Sequence, residues 1–124
     1  MLQFSLLGSG SSGNAILLRS RGAKILIDNG LSFKQLSQRL EAVGESLDGL
    51  SAILVTHEHG DHVGGLGVLT RKLDIPIYMT RGTHDNLPAN LGLRGEIHFF
   101  EAGDDLRLGD MEVQTFSVSH DAAD

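Results

Sequence analysis

Apolar and polar residues alternate over Leu2-Gln3-Phe4-Ser5-Leu6, the period of a strand with one buried face. A Gly/Ser loop, Gly8-Ser9-Gly10-Ser11-Ser12-Gly13-Asn14, follows. Two short apolar runs, Ala15–Leu18 and Lys24–Ile27, then flank a turn at Arg21-Gly22 and predict a hairpin. The period changes at Phe33, Leu36, Leu40 and Val43, whose spacings of 3, 4 and 3 mark one face of a helix. Ser32 stands at the N-cap position and Gly44 just past the C-terminus. Ala52–Thr56 reads as a strand that runs into a group of histidines. A second helix is expected from near Val63 or Gly64 to near Leu73. Its glycines, Gly64, Gly65 and Gly67, each lower helix propensity by about 1 kcal/mol, which points to close backbone packing. Ile75–Met79 and Ile97–Phe100 read as strands, Thr80–Asn90 as a short helix or loop. Asp105–Leu108 and Met111–Ser119 read as a hairpin turning at Gly109-Asp110. The fold class is therefore α/β (α+β): strand and helix alternate in the middle, antiparallel hairpins close both ends, and the helices cover one face of a sheet.

Composition narrows the chemistry. At 124 residues, 40% hydrophobic and 21% charged, the chain amounts to one core, a domain or part of one. The absence of cysteine excludes a disulfide framework, a thiolate zinc site, an iron–sulfur cluster and a cysteine nucleophile. A net charge of −6 leaves no basic footprint for binding nucleic acid by electrostatics alone, but is compatible with a nucleic-acid substrate met at a metal site. No stretch approaches the roughly 20 apolar residues of a membrane span, and the opening residues lack a basic signal region. A cytoplasmic location without a membrane partner is expected.

The informative segment is Thr56-His57-Glu58-His59-Gly60-Asp61-His62. In a loop leaving a strand, His57-x-His59 supplies two imidazoles to one cation, while Asp61 and His62 point to a second position nearby. Imidazole and carboxylate suit zinc, manganese or iron and require no thiolate. The bland alternative is a solvated polar loop whose histidines merely lie close in sequence.

His57-Glu58-His59-Gly60-Asp61-His62 resembles the H-x-H-x-D-H motif of the metallo-β-lactamase superfamily. Ile25-Leu26-Ile27-Asp28-Asn29-Gly30 resembles the strand and acidic turn that precede it there. Ser117-Val118-Ser119-His120-Asp121 resembles the later strand whose histidine completes the first site. Leu7–Asn14, Phe33–Leu36 and Thr56–His59 are similar to the YycJ/VicX-type branch. The resemblance implies a four-layer αββα sandwich with metals at one rim, of which residues 1–124 make about one αβ half, the N-terminal one. It assigns His57, His59 and His120 to the first metal and Asp61 and His62 to the second, with Asp61 also acting catalytically on the attacking hydroxide. It implies two divalent metals per complete fold, zinc foremost, with manganese or iron as alternatives. The activity implied is metal-dependent hydrolysis, first of phosphodiesters such as nucleic acid. The alternatives are hydrolysis of a small thioester, lactone or cyclic phosphodiester, or a non-catalytic metal-binding half.

The superfamily also draws a bridging carboxylate and a further histidine from beyond the position of His120, and Asp121 and Asp124 do not occupy those places. The expectation is an N-terminal half-domain truncated after the His120 motif, a gene fragment, or a half completed by a second copy or a complementing half. The letters of Gly8–Gly13 match G-x-G-x-x-G, but a strand follows where a dinucleotide site needs a helix. The loop is expected as a tight turn near the metal rim, with Ser9, Ser11, Ser12 and Asn14 as candidates for contacting substrate phosphate. Asp28 is expected to hydrogen-bond a metal ligand from outside. Glu58 is expected to face solvent or a surface hydrogen bond, and His84 and His98 to be structural or exposed.

Overall fold

The computed structural model describes residues 2–115. Six strands form one sheet in chain order: β1 (Gln3–Gly8), β2 (Ala15–Arg19), β3 (Lys24–Ile27), β4 (Ala52–Leu54), β5 (Ile77–Met79) and β6 (Ile97–Phe99). The first three pair antiparallel, and β3 to β6 pair parallel. A separate antiparallel hairpin joins β7 (Asp105–Leu108) to β8 (Met111–Gln114). The predicted continuation of β8 from residue 116 to Ser119 lies outside the described residues.

The alternating strand positions divide the core in two. Leu17, Leu26, Ile53, Val55, Ile77 and Met79 face the helices. They pack with Leu36 and Leu40 of α1 (Phe33–Ala42), Val63 of α2 (Gly60–Val63), and Leu66 and Leu69 of α3 (Leu66–Lys72). Ile25, Ala52 and Leu54 point the other way, against Leu108 and Met111 of the hairpin. Each fully buried side chain of this kind stabilises the fold by roughly 1.5–3 kcal/mol. Towards the β1 edge this second face is open: Phe4 and Leu6, paired across from Leu18 and Ile16, are 73% and 58% exposed.

Local chemistry sets the ends. Ser32 accepts from the Gln35 backbone N–H at 3.1 Å, and the Gln35 side chain accepts from Ser32 N–H at 3.2 Å, a capping box. The hairpin is docked by Asp110, whose carboxylate accepts from the Ser20 hydroxyl and from Gly22 N–H at 3.3 Å. The Ser20 bond holds the Asp110 pKa below the ordinary carboxylate value.

The second helix differs from its prediction. Instead of one helix starting near Val63 or Gly64, the chain makes a single turn, α2, inside the histidine motif and restarts at Leu66. A Cβ on Gly65 would lie 1.8 Å from the Leu31 carbonyl oxygen, so this corner closes only on glycine. The remaining helix, α4 (Arg81–Asp85), is capped by Thr80, whose side chain accepts from Thr83 N–H. No helix among the described residues is long and apolar enough to cross a membrane.

Candidate metal centre

Parallel pairing of β3 to β6 brings their C-terminal ends to one edge of the sheet, where open α/β sheets place their chemistry. Asp28 follows β3 there, and the histidine motif follows β4. Asp28 is 5% exposed and has a φ of 59°. That left-handed conformation is one that aspartate tolerates better than most residues. It turns the carboxylate back across the end of β4.

Three donors converge on that carboxylate. Thr56 N–H donates to Oδ1 at 2.7 Å, the Thr56 hydroxyl to Oδ2 at 2.5 Å, and His62 Nδ1–H to Oδ2 at 2.8 Å. Since the Thr56 hydrogen is committed to Asp28, its oxygen accepts from His57 Nδ1–H at 2.9 Å. One buried carboxylate thus fixes two imidazoles, one directly and one through a hydroxyl. Hydrogen bonds of this kind at Nδ1 favour the tautomer in which a neutral imidazole binds a metal through Nε2. The two rings lie 4.6 Å apart between centroids. Asp28, His57 and His62 each offer a ligand atom within 4.8 Å of the others. The Asp28 hydrogen bond is the largest cause raising the His62 pKa above 6.5; partial burial opposes it, and the charges of Asp28 and Asp61 add to it.

The other sequence candidates sit around this group. His59 is not drawn into it: its ring centroid is 6.3 Å from that of His57, and its Nε2 lies 3.3 Å from Glu58 Oε2. Glu58 itself corrects an expectation. It is 8% exposed, folded in against His59 instead of facing solvent. Asp61 is one-third exposed on the first turn of α2, with Oδ2 3.9 Å from His62 Nε2. Asn14 does not reach outward as a free phosphate contact; its amide is bonded to Asp61 and to Gly10. Ser9, Ser11 and Ser12 are exposed on the loop beyond it. His120 lies outside the described residues. His84 sits edge-on to Phe99, and His98 stacks on Tyr78 and bonds Glu96 at 2.5 Å, both away from the group. Thr56 was not among the sequence candidates; a hydroxyl just before the first histidine is the signal that could have found it.

A mainly apolar cavity of about 250 Å³ opens beside His57, lined by Leu54, Val55, Phe100 and Val113. A larger depression of about 540 Å³ lies at the opposite end of the strands, among Arg19, Lys24 and Asp48, away from the imidazoles.

The donor set fits a divalent cation of the zinc, manganese or iron type: imidazoles oriented by hydrogen bonds at Nδ1, a carboxylate beside them and no thiolate. Residues 8–121 match the metallo-beta-lactamase superfamily. Over 125 aligned residues the chain is 42% identical to exodeoxyribonuclease YycJ of Bacillus anthracis, covering 99% of this chain and 47% of that protein. It is 39% identical to exodeoxyribonuclease WalJ of Streptococcus pneumoniae serotype 2, covering 97% and 46%. The chain thus spans about half the length of the curated relatives it matches. A metallo-β-lactamase of Cronobacter sakazakii superposes with a TM-score of 0.72 at 20% identity, over 90% of this chain and 45% of that one. That likeness shows the shared fold.

Proposed function

The chain belongs to the metallo-beta-lactamase superfamily, and on that premise we propose that it carries the metal-gathering half of a metal-dependent phosphodiesterase acting on DNA. The observation that carries the reading is the pair of imidazoles, His57 and His62, tied at Nδ1 to one buried carboxylate, His62 directly and His57 through the Thr56 hydroxyl. The DNA substrate rests on the names of the two exodeoxyribonuclease relatives.

His57 and His62, with His59 and Asp61, would hold the cation, and His120 belongs to the same proposed set. When bound, a divalent cation supplies Lewis acidity and makes its water acidic enough to attack near neutral pH. Asp28 aims both rings, His62 by a direct hydrogen bond at Nδ1 and His57 through the Thr56 hydroxyl. Asp61 would orient the attacking water towards phosphorus and take up its proton. The acidic surface gives little long-range attraction for DNA, so affinity has to come from contacts at the centre itself. The remaining ligands of a complete site, a bridging carboxylate and a last histidine, come from outside residues 1–124 in this reading.

The test is elemental analysis together with hydrolysis of bis(p-nitrophenyl) phosphate and linear DNA by the protein carrying this chain. Activity should vanish with a chelator, return with zinc or manganese, and be lost in His57→Ala. Metal-independent hydrolysis would refute the proposal. The apolar cavity beside His57 favours one second reading, hydrolysis of a small thioester or lactone. Turnover of such esters without turnover of either phosphodiester would select it.

A further inference from the structure

The Gly/Ser loop carries a single side chain that touches the centre. Asn14 Nδ2 donates to the Asp61 carbonyl oxygen at 3.0 Å, to Asp61 Oδ2 at 3.2 Å and to the Gly10 carbonyl at 2.9 Å. Its Oδ1 accepts from Gly10 N–H at 3.1 Å. That last bond settles which end of the amide faces Asp61, because a flipped amide would set its oxygen against two oxygens of Asp61. The turn does not need the side chain to reach α2: the Asn14 backbone N–H already donates to the Asp61 carbonyl at 2.7 Å. What the amide adds is a hold on one carboxylate oxygen of a side chain that is one-third exposed.

We propose that Asn14 is a positioning residue for Asp61, holding the carboxylate through Oδ2, the oxygen 3.9 Å from His62 Nε2, so that the carboxylate is offered to a divalent cation beside His62. The proposal rests on the metal reading above. The Gly/Ser loop then acts on the centre from behind: Asn14 orients a ligand, while Ser9, Ser11 and Ser12 are left at the surface. A partner that orients a metal ligand typically changes metal affinity by about 10–100-fold when removed.

The test is a cobalt(II) titration of the metal-free protein carrying this chain, followed by visible absorption, with unfolding of the metal-free form recorded separately. Asn14→Asp keeps the shape and replaces the donor by an oxygen. It should weaken cobalt binding about 10–100-fold and alter the absorption envelope. In an Asp61→Ala background the same change should add less than about threefold, because residues acting through one another are non-additive. Asn14→Ser, which keeps the backbone bond, serves if Asn14→Asp does not fold. Binding within threefold of wild type, or an equal loss with and without Asp61, would overturn the proposal. If both substitutions unfold the chain, Asn14 is purely structural and the proposal falls. If the wild-type chain binds no cobalt, the metal reading itself fails and takes this one with it.

Discussion

Asp28→Asn tests the centre at its root. Asparagine has nearly the same shape and also accepts a φ of 59°, so the backbone turn survives. The hydrogen-bond pattern does not. Oδ1 accepts from Thr56 N–H, and Oδ2 accepts from Thr56 Oγ1 and His62 Nδ1. An amide oxygen placed at the Oδ2 position sets its NH2 against Thr56 N–H, donor against donor. The opposite orientation sets NH2 against His62 Nδ1–H. His62 can then pair only by accepting at Nδ1, which moves its proton to Nε2 and blocks the atom a metal needs. Losing one charge-assisted hydrogen bond costs about 1.5–3 kcal/mol, which corresponds to roughly a 10–100-fold loss of cation affinity. The assay is zinc competition with a chromophoric chelator, alongside nitrogen-15 spectra that read the His62 tautomer. Zinc affinity within threefold of wild type, with the Nδ1–H tautomer retained, would refute the reasoning.

Thr56→Val removes the hydroxyl between Asp28 and His57 and should weaken zinc about tenfold, with Thr56→Ser recovering most of it; equal losses in the two variants would show that packing is what matters. Gly65→Ala drives a Cβ to 1.8 Å from the Leu31 carbonyl and should cost about 2–3 kcal/mol in denaturant unfolding; a loss under 0.5 kcal/mol would mean that the corner relaxes easily. The raised His62 pKa fixes the sign of a pH effect in the metal-free chain. The ionic bond to Asp28 contributes fully below pH 6.5 and is lost as pH rises through the raised value. His62→Gln should therefore destabilise more at about pH 5.5 than at about pH 8.5, and a loss that is flat with pH would contradict the assignment.

Much of this was legible in the chain. The capping box at Ser32 and Gln35 and the 3.6-residue stripe of α1 are local signals, and local signals survive folding. The histidine motif announced metal chemistry by composition alone. What escaped was set by tertiary contact. Gly60-Asp61-His62 has poor helix propensity, yet it forms a turn because Asn14 and Asn29 N–H groups take up the carbonyls of Asp61 and His62. Glu58 reads as a surface residue until the loop folds it against His59. Asn14 reads as a candidate phosphate contact in the sequence because its partner, Asp61, lies 47 residues away.

The backbone cross-links around the centre determine the order in which the protein can be assembled. Asn14 N–H to Asp61 O, Asn29 N–H to His62 O, Gly30 N–H to Asn14 O and Gly65 N–H to Asn29 O lace the Gly/Ser loop, the turn after β3 and the start of α2 into one unit. None of these bonds involves a ligand atom. Small zinc domains fold only when metal arrives. Here the scaffold of the site is completed by the same backbone bonds that complete the fold, so the ordering cost of most ligands is met before a cation is present. Loading is then a late and reversible event on a folded chain, and a chelator should strip the centre while leaving the sheet and its helices standing.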